Sequence, residues 1–189
     1  ERHGLFVIIA LGESLIIAAS GLVGETWTRP LLAVAVLTVG ITCGLWWSYF
    51  HQIKRALEHA FTTAEGAARS QIARDVYSLM HFPMLLGVIA FAYSVEEIVA
   101  HPDAPLSLAV RLGLGFGVTL FEGGMVIALW RANNSILWTR TVILAVTFSA
   151  ILFIPKLTPF MMLLIAFGAV VAIALLERRD SRNFPTLTN

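Results

Sequence analysis

A chain of 189 residues that is 58% hydrophobic and only 13% charged is a poor fit to a soluble domain, where roughly 25% of residues are charged. A formal net charge of +1 excludes the strongly basic balance of a nucleic-acid binder. A single cysteine, Cys43, excludes an internal disulfide and a cysteine-based metal site.

Apolar stretches near the ~20 residues that span a hydrocarbon core recur along the sequence. They predict an all-α, polytopic transmembrane bundle of six spans within residues 1–176, at about Gly4–Val23, Pro30–Phe50, Val76–Ala100, Leu106–Trp130, Leu137–Ile154 and Leu157–Leu176. The first, with the opening stretch ERHGLFVIIALGES, places Glu13 near its midpoint. Pro30 suits the first turn of the second span, and Pro155 with Pro159 punctuates the connection between the last two. Trp27, Trp46, Trp130 and Trp138 fall near span ends, where amphipathic rings favour the interface.

Between the second and third spans, residues 51–75 place Ile53, Leu57 and Phe61 at i, i+4 and i+8 among charges. This is the pattern of an amphipathic connector, either a helix on the membrane surface or a cytoplasmic extension of the second span. Residues 177–189 form a polar tail that is expected to fray. Alternating spans put Arg2, Lys54, Arg55, Arg69, Arg74, Arg131, Arg140, Arg178, Arg179 and Arg182 on one side, against Arg29, Arg111 and Lys156 on the other. The positive-inside bias makes both termini cytoplasmic.

Ionisable side chains inside a span cost roughly 2.5–3.5 kcal/mol at its centre on insertion scales, so each needs a reason. Glu13 stands out most, with Ser14 on its own helix and Thr38 or Thr42 on the next as its expected neighbours. Glu122 and His81 lie at similar depth on consecutive spans. They are expected either to meet as a histidine–carboxylate contact or to stand as a carbonyl-capped histidine beside a protonated glutamate. Glu96 and Glu97, at the outer end of the third span, are expected to form a structural ion pair with Arg111 across the short HPDAPLS connection.

Gly40 with Gly44 and Gly113 with Gly117 form GxxxG pairs, while Gly12 and Ala19 give the first span a small face. Small residues let backbones approach where lipid supplies no hydrophobic drive. No HExxH, no GxSxG and no pair of histidines at ligand spacing occurs within a span. No catalytic residue, metal or cofactor is therefore expected. An enzyme acting on lipid or isoprenoid substrates would need a cytoplasmic cluster around His51, His59 and Arg55.

The opening stretch closely resembles the E-R-x-G-L-F-x-I-I-x-L-G-E-S signature of the bacterial low-temperature-requirement protein A family. Further similarity runs through WWSYF and SLMHFPMLLGVIAFAYSVEEIVAHPDAPLSL. The motif falls on Glu1, Arg2, Gly4, Leu5, Phe6, Gly12, Glu13 and Ser14, and the later match includes His81 and Pro83. Family members are usually about twice this length and begin with an acidic-aromatic segment of the type E-L-F-F-D-L-V-F-V. The resemblance therefore implies a C-terminal half, internally duplicated with the missing N-terminal half, in a bacterial cytoplasmic membrane. Expected partners are membrane lipids and either that half or a second copy, through small-residue helix faces. The family name records a growth phenotype and no reaction. Protons or cations handled by Glu13, Glu122 and His81 form the leading functional expectation, and a non-catalytic scaffold for cold or stress adaptation is the alternative.

Overall fold

In the computed structural model, residues 2–20, 22–23, 27–133 and 136–183 are described. Glu1, the Arg2 side chain and the tail from residue 184 lie outside the described residues and side chains. Eight α-helices occur among those residues: α1 (Arg2–Ser20), α2 (Arg29–Trp47), α3 (Lys54–Thr63), α4 (Gly66–Arg74), α5 (His81–Ala100), α6 (Leu108–Asn133), α7 (Trp138–Phe153) and α8 (Pro159–Asn183). Two π-helical segments, Ser48–Ile53 and Asp75–Leu79, join α2 to α3 and α4 to α5. Among the described residues, four helical stretches are long and apolar enough to cross a membrane: Arg29–His51, His81–Ala100, Leu108–Ala132 and Pro159–Glu177. Two shorter apolar helices, Gly4–Ser20 and Trp138–Phe153, complete the bundle.

Local chemistry sets the helix ends. Thr28 caps α2 by accepting a bond from Leu31 N, with Pro30 in the first turn as expected. Thr158 does the same for α8, accepting from Met161 N at 3.2 Å, and Pro159 opens the helix. Lys156 (φ 57°) provides the left-handed residue of the tight α7–α8 connection.

The six apolar helices close into a ring in the order α1, α5, α6, α7, α8, α2. Glycines bring two of these contacts to backbone distance. A Cβ at Gly117 would lie 2.8 Å from Phe91 Cβ and 2.9 Å from its Cα, and one at Gly113 would lie 2.3 Å from Ser94 Oγ, both on α5. On α2, a Cβ at Gly40 would meet the Phe167 ring at 2.7 Å, and one at Gly44 would meet Val170 Cγ1 at 2.3 Å, both on α8. Both GxxxG pairs of the sequence are thus helix-contact sites. Gly12 differs, because nothing lies within 4 Å of a Cβ built on it.

The connector is amphipathic but not one helix. Leu57 and Ala60 of α3 are buried, and α3 rests on α6. The helix stops at residues 64–65, and Gly66 (φ +54°) redirects the chain into α4. Arg69 of α4 lies 4.7 Å over the Phe61 ring of α3, closing the angle between them. The apolar helix at the end of the chain also runs beyond the expected limit at Leu176, since α8 continues to Asn183.

A buried carboxylate cluster as candidate functional site

Along α6, Leu114, Val118, Phe121, Met125 and Ala128 line the ring interior. Glu122 shares that face and is fully buried. Its Oε2 accepts a hydrogen bond from Ser48 Oγ at 3.1 Å, reaching across the ring from the end of α2. The same oxygen lies 3.1 Å from Nη1 of Arg140, in the first turn of α7 and also fully buried. Arg140 meets Glu177 of α8 fork to fork: Nε donates to Oε1 at 2.7 Å and Nη2 to Oε2 at 2.5 Å. Paired, nearly parallel bonds of this type are among the strongest that side chains make. Met125 Sδ, 3.9 Å from Arg140 Nη1, completes the enclosure.

Two carboxylates therefore share one guanidinium. With both ionised, the cluster carries one excess negative charge, which a single proton would cancel. The remaining oxygen of Glu122, Oε1, is buried without a hydrogen-bond partner. Behind the cluster, Gly123 and Thr141 border a groove of about 400 Å³ between α6 and α7, lined also by Phe116, Leu144 and Phe148.

Ser48 opens the first π segment, and the residue after it serves a second site. Tyr49 Oη lies 2.8 Å from His81 Nε2, while His81 Nδ1 lies 3.2 Å from the Val76 carbonyl of the second π segment. A carbonyl can only accept, so Nδ1 carries a proton, and in the neutral ring Nε2 then accepts from the tyrosine hydroxyl. The histidine is carbonyl-capped, as one of the two expectations had it. It does not bond Glu122. Their nearest link is the adjacency of Ser48 and Tyr49 on one turn. π segments within helices are frequent at functional sites.

Other expected contacts are replaced by different ones. Arg111 forms no pair with Glu96 or Glu97. Its guanidinium donates to the carbonyls of Ile151 (2.6 and 2.9 Å), Leu152 (3.0 Å) and Ile154 (2.7 Å), capping the C-terminus of α7. Four bonds to the negative end of a helix outcompete an exposed carboxylate one hairpin away. Glu96 is exposed, and Glu97 lies 3.8 Å from His101 on its own helix. Glu13 is exposed on the outer face of α1, whereas Ser14 is buried and donates to Leu11 O at 2.7 Å. Thr38 and Thr42 are buried within α2, and Thr42 donates to Thr38 O. Neither bonds Glu13.

Arg140 and Glu177 were not singled out by sequence, Arg140 being counted as a surface charge. Both follow a buried spacing that could have placed them inward. Arg140 precedes Leu144, Thr147 and Ile151, and Glu177 follows Ala166, Val170 and Ile173. At the same end of the bundle, Asp75 bonds Arg74 Nε at 2.8 Å and Arg131 Nη2, tying the start of α5 to the end of α6. The Arg74 guanidinium first, then that of Arg131, hold the Asp75 carboxyl below its usual range.

Residues 1–175 match the family described as bacterial low temperature requirement A protein (LtrA). The chain belongs to the LtrA family. A relative in Rhizobium meliloti (strain 1021), described as an uncharacterized protein, is 31% identical over 103 residues. That match covers 54% of this chain and 24% of the relative, so the chain spans well under two thirds of the relative's length. No solved structure matches this LtrA chain. Among the described residues, no group of three or more His, Cys, Asp or Glu side chains could hold a metal ion. The site of this family member is thus described by its carboxylates, Arg140 and the hydroxyls that reach them.

Proposed function

We propose that this LtrA chain is a multi-pass protein of the bacterial cytoplasmic membrane, with six spans and both termini cytoplasmic, that transports protons through intramembrane carboxylates. On this reading α1 and α7 span with the four longer helices. The observation that carries the proposal is the unpartnered Oε1 of fully buried Glu122, in a cluster of two carboxylates and one guanidinium. Such a cluster goes from one net negative charge to neutral on binding one proton, and ionisable side chains inside spans mark functional sites, ion pathways and proton relays among them. In this path the Ser48 hydroxyl, which donates to Glu122 Oε2, passes its proton on as its oxygen takes another from water entering on the connector side. The His81–Tyr49 pair on the adjoining residue is the proposed entry from the connector side. Glu13, exposed at mid-helix, is assigned no step in this path.

Proton flux into liposomes containing the full-length protein and a pH-sensitive dye tests the proposal. Glu122→Gln keeps the shape and removes the titration, so flux is expected to fall at least tenfold while the protein still inserts. Flux absent from the wild type under every imposed gradient and voltage would rule out proton transport.

A second reading has its own support in the two-pronged Arg140–Glu177 contact. Carboxylates paired this closely serve equally to lock α7 and α8 to α6, making the chain a scaffold for growth in the cold. On that reading Glu122→Gln alters melting, and liposomes containing the wild type are as proton-tight as empty ones.

A further inference from the structure

At the connector end of the bundle one carboxylate holds two guanidiniums. Asp75 opens the second π segment, Arg74 ends α4, and Arg131 lies in the last turn of α6. Arg74 Nε donates to Asp75 Oδ1 at 2.8 Å, and Arg131 Nη2 donates to Oδ2. Bound to the two oxygens of one group, the guanidiniums are kept side by side against their mutual repulsion. The Asp75 side chain beneath them is 10% exposed, whereas those of Arg74 and Arg131 are 68 and 48% exposed. A tie between α5 and α6 needs only Arg131. Arg74 adds a second cation and leaves the group with an excess positive charge. Each guanidinium spends one N–H on Asp75, and its other donors meet no protein partner among the described residues. Such donors form a planar fork that matches the oxygens of a phosphate.

The surroundings decide which phosphate fits. Trp130, exposed beside Arg131, is of the type that favours the membrane interface. Leu79, Phe82, Leu86 and Ile89 follow Asp75 at steps of three and four, and all are exposed. An apolar stripe therefore runs from the charged group along α5 toward its middle. Both α5 and α6 are long and apolar enough to span. Positive charge at one end of an apolar stripe complements a lipid with an anionic head. We propose that Arg74 and Arg131 bind the phosphodiester of an anionic phospholipid, whose acyl chain lies along the α5 stripe. A phosphodiester carries a single negative charge and brings the group to neutrality. A zwitterionic lipid brings its own cation toward the two guanidiniums and binds less well. Basic pockets between spans are a recurrent seat for anionic headgroups. The site shares no residue with the Glu122 cluster, so it stands independently of proton transport.

The test uses the full-length protein, stripped of lipid in detergent and mixed with equal amounts of phosphatidylglycerol and phosphatidylcholine. Bound lipid is counted by native mass spectrometry. Phosphatidylglycerol is expected to be retained in preference. Arg74→Ala leaves the Arg131–Asp75 tie in place and so keeps the fold. It is expected to lower that retention about fivefold, the effect of one basic side chain near a membrane surface. Arg74→Lys keeps the charge without the fork and is expected to recover only part of the loss. Arg69→Ala removes an exposed charge of the same helix, one that lies over Phe61, and is expected to change nothing. Equal retention of the two lipids by the wild type overturns the proposal and leaves the stripe to another segment of the full-length chain. An equal fall in Arg69→Ala overturns it in favour of diffuse surface charge. A lysine variant that binds like the wild type overturns the forked contact. Complete displacement of the lipid by excess inorganic phosphate overturns the acyl contact, making the pair a site for free phosphate.

Discussion

Replacing Gly87 by alanine isolates the contact that sets the spacing of α5 and α6. The added Cβ would lie 2.8 Å from Gly117 O, 2.9 Å from Phe121 N and 3.1 Å from Leu120 Cβ. Two of these are backbone atoms, which cannot rotate away. Ordinary contact begins at 3.4 Å, so the helices must part by about 0.6 Å (3.4 − 2.8). Overpacking of this kind costs about 1–3 kcal/mol, which for a chain of this size lowers the melting temperature by about 2–12 °C. The comparator is Gly123→Ala on the same α6, where a Cβ meets nothing within 4 Å. There the change should stabilise slightly, since helical glycine is about 0.5–1 kcal/mol worse than alanine. Thermal unfolding of both variants in one detergent, followed by tryptophan fluorescence, gives the comparison. Opposite signs support the packing, and a Gly87→Ala variant as stable as Gly123→Ala would refute it. Phe121 precedes Glu122, so the displacement should also lower any proton flux that depends on the Ser48–Glu122 bond.

Arg140→Met should destabilise by about 3–5 kcal/mol, because it leaves buried Glu122 and half-buried Glu177 facing an apolar side chain. Adding Glu122→Gln should restore part of that loss, measurable as a double-mutant cycle in denaturation midpoints. Arg111→Ala removes the α7 cap and should cost about 1–3 kcal/mol; Arg111→Lys should recover little, as an ammonium cannot fork over three carbonyls. Asp75 contributes stability that is fully present above the ordinary aspartate pKa of about 4. That contribution disappears as pH falls through the lowered folded value. Unfolding followed from pH 6 down to pH 2 should show this slope below about pH 4 in the wild type and a flatter one in Asp75→Asn.

How far the sequence could be read depended on whether a feature was local. The apolar runs, Pro30 in the first turn of α2 and the glycine spacings depend on neighbours along the chain, and each appears where those neighbours put it. The partners of buried charges depend on which helices become neighbours in the ring. Arg140 lies close to Trp138 at a helix end and so reads as a surface charge, until the meeting of α6, α7 and α8 encloses it. Arg111 reads as the natural counterion of Glu96 or Glu97 because the intervening connection is short. The exposed carbonyls ending α7, some forty residues further along, have no signature before the helices assemble. Glu13 is the intermediate case. Its place near the middle of an apolar helix is legible from the sequence, but its direction is not, since apolar residues recur on both sides of α1.

The π segment after α2 has a mechanical consequence. Ser48 and Tyr49 are consecutive, yet one engages Glu122 and the other His81. A π segment holds its register through i→i+5 bonds, and moving the irregularity by one position swings the side chains it frees by about 100°. Such a slip would pull both contacts out of place in the same stroke. The carboxylate and the histidine are thus held by one turn, and a shift of that turn releases both together.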